Sequence, residues 1–198
     1  MGNKVARKLI VSLADSGAGI KLADHLVRLL YLQENFFSRP LIALCIGSDR
    51  YTGDSLGPLV GSYLMEHSEV IVYGSLDQPV HAGNLVETVQ IIQNGYSNPL
   101  IIATDACLGK TSEIGNIEAW EGSIEAGIAV GNRLPCVGDV SLVGVVNAGG
   151  QLGYLDLQST PLSMVVKLSK VIGSALAETV RRVTSARDAA AIFSQNYW

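Results

Sequence analysis

The sequence predicts an α/β protein with a mostly parallel sheet that carries helices on both of its faces. Three short, unbroken apolar runs, at residues 41–46, 71–73 and 100–103, are separated by helical patterns. Runs of this kind are typical of strands that are buried on both faces, as the strands of parallel sheets are. Strands that alternate with helices indicate a parallel sheet. We therefore expect the three runs to be neighbours in one sheet.

Length, composition and charge limit the classes of protein that this chain can represent. Its 198 residues suffice for one domain with a full core, and we predict a single domain over residues 1–198, with residues 1–17 and 185–198 as extensions. Hydrophobic residues make up 48% of the chain and charged residues 16%, which excludes a disordered protein. The net charge is −4 without a Lys/Arg cluster, and no apolar run has the length of a membrane span. We therefore predict neither a nucleic-acid partner nor a membrane partner.

The cysteines and the N-terminus favour a cytoplasmic protein. Cys45, Cys107 and Cys136 are odd in number and far apart, which indicates free thiols in a reducing compartment. The basic N-terminus is followed by neither a long apolar core nor a small-residue cleavage site, so we predict no signal peptide.

The remaining elements follow from local patterns along the chain. Leucines at helical spacing predict a first helix that ends near Asn35, and Asn94-Gly95 marks the end of another helix. The alternating segment 116–122 predicts an edge strand or hairpin arm. We expect a loop at residues 127–138, strands at 140–146 and 152–157, and a final helix from Leu162 to about Val183.

Two aspartates follow strands in this pattern. Asp54 lies in the polar loop 48–55 after the first run, together with Asp49 and Thr52, and Asp105 directly follows the third run. Ligands of open parallel sheets bind outside the carboxyl ends of the strands. Two carboxylates with different pKa values at that edge can share the roles of base and acid. The alternative is structural: Asp54 or Ser55 caps the next helix, and Asp105 is a turn residue.

Three longer motifs resemble the YyaC-type sporulation proteins. Residues 46–61 read IGSDRYTGDSLGPLVG, residues 134–147 read LPCVGDVSLVGVVN, and residues 158–167 read QSTPLSMVVK. Together they extend the resemblance over about residues 41–170. That family is similar, more distantly, to the germination protease of spores and to the hydrogenase maturation endopeptidases.

The resemblance implies a three-layer α/β/α sandwich and a function for specific residues. Asp54, in DSLGP, and Asp105, in TDA, match the two aspartates that are essential in the germination protease, and the loop with Asn132 and Arg133 resembles a loop of that protease. In the maturation endopeptidases the equivalent acids bind nickel with a later histidine. This chain has no histidine after His81, so we predict no metal and no cofactor.

The leading hypothesis is a peptidase-like hydrolase of sporulating cells or spores that acts on a peptide or protein. Asp54 and Asp105 are its predicted acid/base pair. We assign five residues to substrate binding, although for Asp139 the pattern favours a turn cap: Asp49, Thr52, Asn132, Arg133 and Asp139.

Three alternatives remain at the sequence level. The first is a non-catalytic module that binds a peptide or protein in the same cleft. The second is a metal-dependent hydrolase with a third ligand other than histidine. The third is a thiol nucleophile, Cys107 with His81, which ranks low because a buried Cys mostly behaves as a small hydrophobe.

Overall fold

A computed structural model describes residues 8–125, 135–150 and 153–195. Within these residues it has a six-stranded sheet, a two-stranded ribbon and five α-helices. The elements are β1 (Lys8–Ser12), α1 (Ala18–Tyr31), β2 (Leu41–Cys45), α2 (Leu56–His67), β3 (Ile71–Tyr73), α3 (Leu85–Gly95), β4 (Leu100–Gly109), β5 (Asn116–Glu121), β6 (Ile124–Glu125), β7 (Cys136–Val137), β8 (Val140–Ala148), α4 (Gly153–Gln158) and α5 (Leu162–Gln195).

The strand order of the large sheet is β1-β5-β8-β4-β2-β3. Strands β8, β4, β2 and β3 pair in parallel, and β5 is antiparallel to both of its neighbours. The three apolar runs are therefore neighbours in one mostly parallel sheet, as predicted. The segment around β5 was predicted as an edge strand or a hairpin arm. It is not an edge strand, because β1 pairs with its outer side and β8 with its inner side.

Helices cover both faces of the sheet, and β4 shows how the sequence achieves this. Leu100 and Ile102 pack into a core with residues of α1, α2 and α5. Ile101 and Ala103 point to the opposite face and pack with residues of α3, including Ile92. Successive strand residues face opposite sides, so an unbroken apolar run supplies both cores. The three-layer arrangement predicted from the sequence is confirmed.

The N-terminal segment contains a strand where we expected an irregular extension. Strand β1 pairs antiparallel with β5 over five residues, and Lys8 forms an ion pair of 2.7 Å with Glu118. Only Val11 of this strand is fully buried. An exposed edge strand needs little apolar sequence, so the pattern of residues 8–12 did not indicate it.

Two predictions near the C-terminus were wrong. Residues 152–157 were predicted as a strand, but α4 is a short helix that packs beside the turn around Gly53. Helix α5 continues well beyond Val183, to Gln195. Its C-terminal part is held by tertiary contacts, since Arg187 lies over the ring of Phe36 at 4.4 Å. Of the predicted loop at residues 127–138, positions 127–134 lie outside the described residues. No helix in the described ranges is long and apolar enough to cross a membrane.

Candidate active site

The junction between β2 and α2 brings the backbone of Asp54 back against the end of β2. The amide of Gly47 donates to the carbonyl of Val80 at 2.7 Å, and the amide of Ser48 donates to the carbonyl of Asp54 at 3.1 Å. Gly47 has a φ of +145°, and a Cβ atom there would lie 2.0 Å from the carbonyl oxygen of Asp54. Only glycine allows this close approach and this backbone conformation. The glycine after the buried run thus positions the aspartate.

The carboxyl group of Asp54 is not used to cap the helix that follows. Asp54 lies inside a short 3₁₀ turn, Thr52–Ser55, that precedes α2. Ser55 occupies the N-cap position of α2, but its hydroxyl donates to the carbonyl of Thr52 at 2.6 Å and caps no helical amide. The predicted side-chain cap at Asp54 or Ser55 was therefore wrong, because the additional 3₁₀ turn moves both side chains away from the free amides of α2.

Asp105 lies inside a strand and not at its end. Strand β4 runs on to Gly109, since β8 continues to pair with it beyond Asp105. On the other side the pairing with β2 stops one residue earlier, at Thr104 opposite Cys45. Asp105 is thus the first residue of β4 past the carboxyl end of β2. The alternative of a turn residue was wrong, because the longer neighbour β8 extends the strand.

Burial keeps the pKa of both carboxyl groups above the ordinary value. Burial raises the pKa of Asp54 from 3.8 to about 6, although the Ser48 amide and the charge of His81 act in the opposite direction. Burial raises the pKa of Asp105 well above 3.8, and the negative charge of Asp54 raises it further. The amide of Ala106 donates a hydrogen bond of 2.7 Å to the Asp105 carboxyl group. This bond lowers the pKa but offsets only part of the increase. The two aspartates therefore interact, and burial raises the pKa of each of them.

His81 lies near Asp54, although the sequence analysis considered it only as a partner of Cys107. It follows β3 in the loop before α3, and its ring Nδ1 accepts a hydrogen bond from the amide of Gly83 at 3.1 Å. In the neutral ring the proton therefore belongs on Nε2. The signal available in the sequence was its position, since His81, like Asp54, follows a strand of the parallel sheet.

The cysteines are free thiols in the structure, as predicted. Burial raises the pKa of Cys45 to about 12. Burial together with the charges of Glu118 and Asp105 raises the pKa of Cys107 to about 12 as well. A nucleophilic cysteine needs a lowered pKa, so Cys107 has the opposite of the required environment.

The structure brings some of the predicted substrate-binding residues together with Asp54. Asp49 is exposed, Thr52 is half-buried at the start of the 3₁₀ turn, and both belong to the loop that holds Asp54. Asn132 and Arg133 lie outside the described residues.

Asp139 lies at the opposite end of the sheet, so the structure separates it from the aspartate pair. Its carboxylate accepts hydrogen bonds from the amide of Ile101 at 2.8 Å and from Arg39 at 2.9 Å. Ile101 is the second residue of β4, near the amino end of that strand. The assignment of Asp139 to the same cleft failed because Asp139 precedes β8, whereas Asp54 follows β2 and Asp105 lies in β4 past the end of β2. Among the described residues no cluster of three or more His, Cys, Asp or Glu side chains forms a metal site.

Comparison with solved structures places this fold in a known structural class. The chain is similar to the crystal structure of a [NiFe] hydrogenase maturation protease HycI from Thermococcus kodakarensis KOD1, with a TM-score of 0.52 and 17% sequence identity. The match covers 79% of this chain and 98% of that one. At this identity the likeness shows that the two proteins share a fold. It is not evidence about their activities.

The sequence itself is more informative about the family. The chain belongs to the family described as "Protein of unknown function (DUF1256)", whose profile matches residues 11–175. It is also 41% identical over 145 residues to the uncharacterized protein YyaC of Bacillus subtilis (strain 168), which covers 72% of this chain and 71% of that protein. The relation that we predicted from the motifs is thereby confirmed.

Proposed function

We propose that this protein is a peptidase-like hydrolase of the cytoplasm of sporulating cells or spores, with Asp54 and Asp105 as its acid/base pair. The observation that carries the proposal is the position of the two aspartates where β2 ends and β4 continues, where the charge of Asp54 acts on Asp105. Neither group has the capping or turn role that would explain a structural aspartate. Coupled carboxyl groups with separated pKa values are a common acid/base device in hydrolases.

The pKa values assign a role to each aspartate. With a pKa of about 6, Asp54 is mostly ionised near neutral pH, so it acts as the base. Burial and the negative charge of Asp54 both raise the pKa of Asp105, so in this proposal Asp105 holds a proton and acts as the acid. Asp54 takes a proton from water as the water oxygen attacks the scissile carbonyl carbon, and Asp105 donates its proton to the departing amide nitrogen. Asp54 then releases its proton to solvent and Asp105 regains one.

The substrate class and the biological setting have separate support. The sequence motifs resemble those of sporulation proteins, and the solved structure with the similar fold is named as a protease. Asp49 and Thr52 lie on the same loop as Asp54, and in this proposal they contact the substrate.

The test is a search for cleavage products in a spore extract. Purified wild-type protein is incubated with the extract, and newly formed N-termini are labelled and identified by mass spectrometry. Asp54→Asn, Asp105→Asn and the double variant should each lose the new termini, with rates about 10²- to 10⁴-fold lower. Asp188→Asn, at an exposed position of α5, is the matched control and should cleave like the wild type.

Each alternative predicts a different result. Equal cleavage by wild type and the double variant would contradict the acid/base pair. Cleavage that is abolished by a chelator and restored by a divalent ion would favour the metal-dependent hydrolase. Capture of a peptide without any cleavage would favour the binding module.

A further inference from the structure

A groove runs along the open edge of the sheet beside β3. It has a volume of about 680 Å³ and is lined by β3, the loop that follows it, and side chains of α2 and α3. Met65 of α2 and Ile91 of α3 form its apolar walls, and they are 64% and 52% exposed. His81 lines the same groove, and its charge acts on Asp54. We call this feature the β3 groove; it leads towards the aspartate pair.

The floor of the β3 groove is an edge strand with a free side. Strand β3 is the last strand of the sheet and pairs with β2 alone among the described strands. Its three residues, Ile71, Val72 and Tyr73, are all half-buried. An edge strand presents a row of backbone N–H and C=O groups that another extended segment can pair with. Such pairing is the usual way in which an extended peptide binds next to a sheet.

The charge of residues 51–109, which include the groove, indicates the kind of peptide that it binds. Residues 51–109 contain no lysine or arginine, although they include the whole of α2, β3, α3 and β4. Asp77 lines the β3 groove and is exposed. Further exposed acids lie on the two helices that flank the groove: Glu66 and Glu87. A surface of one sign attracts a ligand of the opposite sign.

We infer that the β3 groove binds a cationic peptide in extended conformation, which adds to the sheet as a further strand beside β3. Its backbone pairs with the free edge of β3, its apolar side chains contact Met65 and Ile91, and its Lys or Arg side chains lie near Asp77 and the flanking acids. The end of the peptide that passes His81 enters the aspartate site. The inference rests on the proposed function in one respect, because it takes this peptide to be the substrate.

The test measures binding and not cleavage, so that the two proposals can fail separately. The probe is a short fluorescent peptide of alternating lysine and valine, and its affinity for Asp105→Asn protein is measured by anisotropy at low salt. The same peptide with glutamate in place of lysine should not bind. Asp77→Lys should weaken binding about three- to tenfold, and added salt should reduce the difference. Glu34→Lys makes the same change of charge at an exposed position outside the groove and should leave the affinity unchanged.

Two further comparisons test the apolar walls and the backbone pairing. Ile91→Ser should weaken binding, whereas Ile20→Ser, at a residue of α1 that is 65% exposed, should not. A probe that is N-methylated at alternate residues loses its hydrogen-bond donors and should bind about tenfold more weakly. Amide exchange in β3 should slow when the unmodified probe is added.

The possible results separate the two proposals. Equal effects of Asp77→Lys and Glu34→Lys, or full affinity of the N-methylated probe, would overturn the inference. If the probe binds as described but the wild type cleaves no cationic peptide, the binding proposal is supported and the peptidase proposal is contradicted. Cleavage by the wild type without this binding would support the peptidase and contradict the proposed binding at the β3 groove.

Discussion

Asp105 carries its carboxyl group inside the sheet, where an ionised group loses most of its hydration. Burial is the largest cause of its raised pKa, and the charge of Asp54 is the second. For Asp54 burial is again the largest cause, and two favourable interactions limit the rise to about 6. The sequence shows that Asp54 follows a strand and that Asp105 comes soon after an apolar run. It does not show their degree of burial, because that depends on how far β8 extends beside β4.

The coupling of the two aspartates predicts a specific response to substitution. Asp54→Asn removes a negative charge near Asp105, so the pKa of Asp105 should fall towards the ordinary value. In the wild type, Asp54 should titrate with a midpoint near 6. Carboxyl carbon chemical shifts in an NMR titration report both values. Asp188→Asn is the control and should change neither midpoint. An unchanged pKa of Asp105 in the Asp54→Asn protein would show that the two groups are independent.

The three thiols should differ sharply in reactivity. Cys45 and Cys107 are held as neutral thiols with a pKa of about 12, while Cys136 is exposed. The thiolate is the reactive form. With a thiol reagent at about pH 8 the native protein should show one fast equivalent, and the unfolded, unreduced protein should show three. Cys136→Ser should remove the fast phase alone; rapid labelling of Cys107 would contradict the described environment and reopen the thiol nucleophile.

At the scale of elements, the turn between β2 and α2 determines where Asp54 lies. The apolar run, the glycine and the helical pattern were sufficient to predict a strand, a loop and a helix in this order. They were not sufficient to predict the 3₁₀ turn of Thr52–Ser55, which packs against α4 about a hundred residues later in the chain. A Cβ atom on Gly53 would lie 2.7 Å from the hydroxyl of Thr160, so this packing also depends on glycine.

Gly47→Ala should disturb this turn and the site together. The new Cβ atom would lie 2.0 Å from the carbonyl oxygen of Asp54, in a backbone conformation that alanine rarely adopts. We expect a loss of about 2–4 kcal/mol in the free energy of unfolding, measured by urea denaturation. Gly19→Ala is the matched control, since nothing lies within 4 Å of its Cβ position in α1. That variant should gain about 0.5–1 kcal/mol; a similar loss in both proteins would argue against the close approach at Gly47.

At the scale of the whole molecule, the raised carboxyl pKa values link stability to pH. A carboxyl group whose pKa is higher in the folded state favours folding when it is protonated. That contribution is complete below the unfolded pKa of 3.8 and is lost as the pH rises through the folded pKa, which is about 6 for Asp54. The site thus makes the folded state less stable at neutral pH than it would be with a neutral side chain in place of Asp54.

This link can be measured as a difference between two proteins. The free energy of unfolding of wild type and Asp54→Asn is determined at about pH 4 and about pH 7.5 by urea denaturation. Relative to the variant, the free energy of unfolding of the wild type should fall by up to about 3 kcal/mol over that range. Groups other than the pair titrate alike in both proteins, so their contributions cancel in this difference. Asp188→Asn should follow the wild type. Parallel pH profiles for wild type and Asp54→Asn would mean that Asp54 is not buried as described.

The sequence by itself determined the parts of this protein that depend on local pattern. Unbroken apolar runs identified the buried parallel strands, because a strand covered on both faces has no polar side. The order of apolar run and aspartate predicted that Asp54 and Asp105 lie at one edge of the sheet, since parallel strands end at one edge. Only the tertiary structure decided that β1 joins the sheet and that Asp139 lies at the opposite end with Arg39. Those features depend on contacts between residues far apart in the chain, which leave no periodic signal in either partner.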